Sequence, residues 1–483
     1  MASRSCGTCR DRRVLCDRTL PTCRRCSQSY RKCMGYNIRL SWPKDTDRRR
    51  AIVSSVPAHG GRFYHRPHTH LLNVSSWDME MHYYLSASSS SERAQFVPDI
   101  PQHWDPFQPF KSETGEGYLF QYFQCIAYRS LALFGYEPMG IGNILMRMAL
   151  EDSSPSATAV LNSLLAFSSL HYHGPHSQVA ELKVSALRAL TAASKSHIGS
   201  REVVRHVAAA MVLCSIDIRG NLCTANEWTV YIRGIKQIVS AALIHGTISR
   251  DGDLATLLDW AYYHDVIANF SLRHWPKPRA SFSLPVPHNC LGVLYVSPAH
   301  FTIIDLLLEV VLSLSAKPSR TGSAEELSDY KRFLVLLDWR IRHAPTADMT
   351  NDNDPNSPMT MELFQLATLV YLDRMTGGLL EKPSDKTRRQ LDRAFTIFSQ
   401  LPYCERQFPL LVLGSEARSD EHRATFLDLL SRTEASGSLV SLSQLKRSVQ
   451  AIWAQDDLAE EELDYKDKLD AIIGRFRALP AFV

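Results

Sequence analysis

Six of the eleven cysteines in this 483-residue chain lie between residues 6 and 33, spaced C-x2-C-x6-C, then six residues, then C-x2-C-x6-C again. It is one half-motif written twice. A segment this short cannot bury an apolar core, so something other than hydrophobic packing must hold it. Four thiolates complete a tetrahedral zinc site. Six therefore serve one ion with two left over, or two ions if two sulfurs bridge. Each C-x2-C turn can open a short helix, and the third cysteine of each half closes the site after that helix ends. The repeat makes a two-zinc cluster with near two-fold symmetry the natural solution, with the metal supplying the folding energy.

The rival uses of clustered cysteine fit less well. A disulfide framework needs an oxidising compartment, and the polar, basic opening "MASRSCGTCR" lacks the apolar stretch of a secretory signal. A thiol-rich metal store would not carry a long folded body, and RING or LIM sites use more ligands, commonly with histidine. Charge adds a second constraint. The net charge of +4 hides fourteen Lys/Arg against four Asp/Glu in residues 1–50, and forty against forty-six in the remainder. A basic head on a mildly acidic body points to a polyanionic partner for the head alone.

These residues resemble the fungal Zn2Cys6 binuclear-cluster transcription factors. The resemblance covers both cysteine halves, the basic run "RDRR" after Cys9, the pair Cys16–Asp17, and Pro21 two before Cys23. It implies that the first and fourth cysteines bridge, with one zinc on Cys6, Cys9, Cys16 and Cys23 and the other on Cys6, Cys23, Cys26 and Cys33. Pro21 would turn the chain between the halves. The resemblance also assigns base reading, typically of a CGG triplet, to the positions of Arg12 and Arg13. Arginine suits that task, because its planar fork can pair with guanine O6 and N7 together. The family more often has lysine there, and its usual basic residue before the third cysteine is Leu15 here. Arg10, Arg18, Arg24, Arg25, Arg31 and Lys32 read as phosphate contacts, which position without specifying.

Residues 41–115 read as a largely irregular linker, with "YHRPHTH" and "SASSSSER" mixing Pro, Ser and charge. No sustained heptad follows the cysteines; only Val74, Trp77, Met81 and Leu85 suggest an amphipathic turn or two, which leaves dimerisation open. The histidines at 65, 68 and 70, and those in "HYHGPH" at 171–176, lack a helical metal-binding register and sit beside proline.

From residue 116 to 483 the pattern is helix after helix. Trp228, Ile232, Ile235, Val239 and Ala242 form one stripe closed by Gly246; Leu363, Leu366, Val370 and Met375 form another, and Leu445, Val449 and Ile452 a third. With few strand signals, the expectation is an all-α, bundled or solenoid-like body. Its apolar segments resemble the family's helical regulatory domain. The longest, "FTIIDLLLEVVLSLSA", is interrupted by Asp305 and Glu309 and is shorter than a bilayer span. No catalytic constellation emerges. "MGIGN" at 139–143 lacks the third glycine of a dinucleotide loop, and Cys125, Cys214, Cys223, Cys290 and Cys404 are scattered among apolar residues, as buried thiols usually are.

The expectation is therefore a mainly α protein: a zinc-cluster DNA-binding unit over residues 1–40 holding two zinc ions, a linker, and an all-α regulatory domain. Its function would be sequence-specific regulation of RNA polymerase II transcription in the nucleus. Its partners would be double-stranded DNA and either a second copy or another transcription factor, with no membrane. Two other classes compete: a ligand sensor or enzyme merely tethered to DNA by the cluster, and a zinc-stabilised protein-interaction adaptor.

Overall fold

The computed structural model describes residues 6, 8–9, 12, 14–17, 19 and 22–33 of the head, then 78–79, 81–82 and 85. It describes the body from 115 onward, apart from 196–198, 221–226, 247, 249–251, 276–300, 315–323, 346–356, 378, 380–383, 437–441, 460, 462 and 477. The chain divides into two compact units, residues 1–70 and 71–483. Among the described residues every regular element is helical and none is a strand. In the head, α1 (Arg24–Gln28) is begun by Cys23, whose sulfur accepts the backbone N–H of Cys26.

From residue 115 onward the second unit carries α2 (Glu116–Cys125), α3 (Pro138–Leu150), α4 (Pro155–His173), α5 (Ser177–Ala193), α6 (Ser200–Gly220) and α7 (Glu227–Ile244). The long α8 (Gly252–His274) comes next. After it come α9 (Thr302–Ser313), α10 (Ala324–Arg342), α11 (Ser357–Thr376), α12 (Ser384–Gln400), α13 (Gln407–Ser415), α14 (Asp420–Ala435), α15 (Ser443–Leu458) and α16 (Tyr465–Ile473). Local signals set these boundaries. α4 starts where the Ser154 hydroxyl accepts the Ala157 N–H with Pro155 in the first turn, and it ends at Gly174 with φ +75°. α7 buries the predicted Trp228–Ala242 stripe, and Gly246 at φ +64° follows it.

Two apolar cores fill this unit, and α8 belongs to both. Leu254, Leu257, Trp260 and Ala261 pack into the first, which α2 to α7 supply. Tyr263, Val266, Ile267 and Phe270 pack into the second, which α9 to α16 supply. The chain from α16 onward also spans the two, with Leu479 in the first core and Phe482 and Val483 in the second. The Trp228 indole donates to the Leu479 carbonyl at 2.9 Å, so that crossing is fixed by a hydrogen bond. Met81 and Leu85, from the stretch read as linker, are buried in the second core, and the Gln455 amide donates to the Asp78 carbonyl at 2.8 Å.

Of three segments singled out in the sequence, only the scattered cysteines depart from expectation. "MGIGN" is part of α3, where Gly142 lets the helix approach Tyr128; an added Cβ would lie 3.1 Å from the Tyr128 Cβ. Cys125 is exposed, whereas Cys214 and Cys404 are buried; Cys223 and Cys290 lie outside the described residues. Asp305 and Glu309 do interrupt an apolar helix, and each has a partner: the Tyr262 hydroxyl donates to Asp305 at 2.7 Å and Arg340 pairs with Glu309 at 2.7 Å. Among the described residues no helix is long and apolar enough to cross a membrane.

The close approach of α13 and α14 yields a test. A Cβ on Gly414 would sit 2.4 Å from the Phe426 ring, while one on Gly140 meets nothing within 4 Å. Gly414→Ala is expected to destabilise the body by about 1–3 kcal/mol through overpacking. Gly140→Ala should be neutral or stabilising by up to about 1 kcal/mol. Urea unfolding of the two variants measures the difference; equal midpoints would refute the packing argument.

Candidate metal centre and nucleic-acid interface

The head is built on a seventeen-residue offset that relates its two halves. Cys9 N–H donates to Cys6 Sγ at 3.4 Å, and Cys26 N–H donates to Cys23 Sγ at 3.3 Å. Val14 N–H reaches the Cys9 carbonyl at 3.0 Å, and Arg31 N–H reaches the Cys26 carbonyl at 3.0 Å. The halves also hold each other reciprocally. The Thr8 hydroxyl donates to the Lys32 carbonyl at 2.9 Å, while Arg25 reaches the Leu15 carbonyl at 3.5 Å.

These contacts bring all six sulfurs together. Cys6, Cys9, Cys16 and Cys23 place their sulfurs within 4.8 Å of one another, as do Cys6, Cys23, Cys26 and Cys33, so Cys6 and Cys23 belong to both sets. A tetrahedral site with Zn–S near 2.3 Å needs sulfurs about 3.8 Å apart. The Cys6–Cys23, Cys6–Cys26 and Cys9–Cys23 separations are 3.6, 3.7 and 3.6 Å. The donor set therefore fits zinc in chemistry and in spacing. Cys6, Cys9, Cys23 and Cys26 are fully buried. Burial pushes the Cys6 thiol up to about 12 and those of Cys9 and Cys23 upward too, so without metal these sulfurs keep their protons at neutral pH. A bound cation reverses that preference by stabilising the thiolates.

Asp17 completes the turn between the halves. Its carboxylate accepts the Thr19 hydroxyl at 2.7 Å and the backbone N–H groups of Arg24 at 2.9 Å and Arg25 at 3.2 Å. The Thr19 hydroxyl, then these two N–H groups, hold its carboxyl well below the usual carboxylate range. The sequence showed Asp17 only as part of a family pattern. The seventeen-residue offset pairs it with Met34, which carries no acceptor, so the repeat itself could not reveal the cap. Thr8 and Thr19 carried no sequence signal at all.

Around the sulfurs the surface is basic. Arg12, Arg24, Arg25, Arg31 and Lys32 are exposed, and so is Leu15. Arg12 leans on the Ser29 hydroxyl at 3.5 Å. Arg10, Arg13, Arg18 and Pro21 lie outside the described residues.

The body offers no comparable cluster. Among the described residues no other set of three histidine, cysteine or acidic groups converges as the cysteines do. His171 meets the Tyr122 hydroxyl at 2.8 Å and His176 meets the Gly174 carbonyl at 2.8 Å, each closing a helix end; His65, His68 and His70 lie outside the described residues. A cavity of about 620 Å³ beside α3, α6 and α8 is lined by Arg147, Arg201, Arg205, Glu151 and Asp253 among others, with no histidine, cysteine or lysine. Its charges pair internally: Arg147 with Asp253, and buried Arg205 with Glu151 at 2.8 Å.

Comparison with known proteins agrees with this division. Residues 4–43 match the family described as the fungal Zn(2)-Cys(6) binuclear cluster domain, and residues 118–472 match the fungal specific transcription factor domain. Transcription factor iacI of Pestalotiopsis fici is 40% identical over 390 residues, covering 80% of this chain and 99% of that protein. Arginine metabolism regulation protein II of Saccharomyces cerevisiae is 51% identical over 39 residues, 8% of this chain and 4% of that protein. No solved structure matches. With two zinc ions in a six-cysteine head that binds DNA and a helical body matched along most of its length, the chain belongs to the fungal Zn2Cys6 transcription factors.

Proposed function

We propose that the protein is a nuclear regulator of RNA polymerase II transcription that reads CGG-type triplets through its head. Cys6, Cys9, Cys16 and Cys23 would hold one zinc, and Cys6, Cys23, Cys26 and Cys33 the other, with Cys6 and Cys23 bridging. The observation that carries the reading is the pair of four-sulfur sets sharing two buried cysteines beneath a shell of exposed arginines. In this assignment Arg12 and Arg13 face base edges, because a guanidinium can take guanine O6 and N7 together. Arg10, Arg18, Arg24, Arg25, Arg31 and Lys32 neutralise phosphates and fix the register. Leu15, exposed where a basic residue is usual, removes one charged contact and offers an apolar one. The body regulates and does no chemistry of its own; the internal pairing of its cavity charges supports this.

The metal assignment predicts two zinc ions per chain, lost on Cys6→Ala or Cys23→Ala and kept on Cys214→Ala. Because burial raises the Cys6, Cys9 and Cys23 thiols, zinc uptake at pH 7 must release at least these three protons. Apparent zinc affinity therefore falls as pH is lowered. Asp17→Ala, which uncaps α1, should weaken zinc binding about tenfold. Zinc titration with proton counting tests all three points, and a stoichiometry of one ion would overturn the shared-sulfur assignment.

Reading and positioning separate in DNA binding. Arg13→Ala should cost about 1–3 kcal/mol on the preferred triplet and blur base preference. Lys32→Ala should weaken every duplex alike and reduce the salt slope by about one unit. If both variants lose affinity equally on specific and random duplexes, the division of roles is wrong.

A further inference from the structure

Three hydroxyls of the head serve its fold. Thr8 donates to the Lys32 carbonyl at 2.9 Å, Thr19 to the Asp17 carboxylate at 2.7 Å, and Ser29 to the Arg25 carbonyl at 2.6 Å. Ser27 has no such duty: it is exposed on α1, and among the described residues no hydrogen bond engages its hydroxyl. It follows Arg24 and Arg25, both exposed, by three and two positions. Paired cations at that spacing before a serine suit a protein kinase whose substrate groove carries carboxylates, because such enzymes select by charge pattern. Ser448, which follows Lys446 and Arg447 directly, is buried and donates to the Gln444 carbonyl at 2.9 Å, so it offers no such target.

We infer that Ser27 is a phosphorylation site for a serine kinase directed by basic residues, open in the metal-free chain and closed once zinc is bound. The γ-phosphoryl group of ATP passes to Ser27 Oγ: the Oγ–P bond forms, the bond to the β-phosphate oxygen breaks, ADP leaves, and the kinase's base takes the hydroxyl proton. A kinase groove takes its substrate as an extended strand, and here the same residues are wound inward. The Cys26 and Ser27 N–H groups donate to the Cys23 carbonyl at 3.1 and 3.2 Å, and the Ser27 carbonyl takes the Tyr30 N–H at 3.0 Å. Asp17 holds the N–H groups of Arg24 and Arg25. Cys23 and Cys26 belong to one four-sulfur set, so an ion bound to both locks this turn. Without the ion, a helix of five residues is too short to persist alone, and the stretch from Arg24 to Ser29 can open. The modification in turn opposes the metal. A phosphoserine carries about −1.5 to −2 charge at pH 7. It would stand next to Cys26, where six thiolates already outweigh two divalent ions in charge, and in the closing turn of α1, where negative charge is unfavourable. It would also occupy Arg24, Arg25, Arg31 and Lys32, a consequence that rests on the proposed reading of these residues as phosphate contacts.

The test uses the full chain, either zinc-loaded or stripped with a chelator under reducing conditions, with ATP and the catalytic subunit of a cyclic-AMP-dependent protein kinase as the probe. Mass spectrometry is expected to place phosphate on Ser27 of the stripped chain at least about tenfold faster than on the zinc-loaded chain, since only the opened turn fits the groove. Zinc restored before the kinase should bring the slow rate back. Zinc titrated after the kinase should bind the modified chain about tenfold more weakly than the unmodified one. Ser27→Asp should repeat that loss of zinc affinity without any kinase, and Ser27→Gln should not. A stripped chain that takes no phosphate on Ser27 would overturn the inference, as would equal rates in the two forms. So would zinc affinities left unchanged both by the phosphate and by Ser27→Asp. None of these measurements involves DNA, so their failure is separate from any failure of the proposed DNA contacts.

Discussion

A helix buried on every side must find partners for its polar atoms within the protein, and α8 is such a helix. It lies between two cores, and three of its ionisable groups find partners on other elements. Asp259 takes the Tyr136 hydroxyl, Asp265 takes Lys236 at 2.6 Å, and His274 sits between Asp470 at 2.7 Å and the Tyr371 hydroxyl at 2.8 Å. Burial keeps the His274 ring neutral, so Nδ1–H donates to Asp470 and Nε2 accepts from Tyr371. These bonds fix α8 against α7, α11 and α16 in directions that apolar packing alone leaves free. The rest of the body is assembled around that arrangement.

How much could be read in advance follows from the same physics. α7 has one buried face, and its 3.6-residue stripe showed in the residues from Trp228 to Ala242. α8 and α11 are buried on several faces, so apolar residues occur at nearly every position and the period disappears. For α11 the spacing marked Leu363, Leu366, Val370 and Met375 but concealed Phe364, Ala367 and Tyr371, which are also buried. Met81 and Leu85 had the right spacing for an amphipathic turn, yet nothing in a sequence says which distant surface a turn will cover. Cys125 shares its apolar neighbourhood with the buried cysteines, and only the end of α2 leaves it exposed. The sulfurs of the head were legible because metal coordination leaves little freedom in ligand spacing. The hydroxyls and backbone groups of Thr8, Thr19 and Lys32 that orient them were not, since such residues occur everywhere.

The head meets the same demand in another way. Among its described residues the interior is made of cysteines, and its halves are tied by the reciprocal bonds from Thr8 to Lys32 and from Arg25 to Leu15. Each half supplies a donor for a carbonyl just before the other's last cysteine. A change in either half is therefore felt at both four-sulfur sets, and the repeat behaves as one cooperative unit.

The crossing at Leu479 bears on the order in which the body can be completed during synthesis. Leu479 belongs to a core whose other members lie between residues 119 and 268, and its carbonyl receives the Trp228 indole from 251 positions away. A ribosome makes the chain from the other end, at roughly 5–20 residues per second. The first core therefore waits with its Trp228 edge uncovered while α9 to α16 are translated. Contacts of such separation are slow to form and leave apolar surface exposed meanwhile. A nascent body halted before residue 479 is thus a natural client for chaperones, even though most of its first core has already been made.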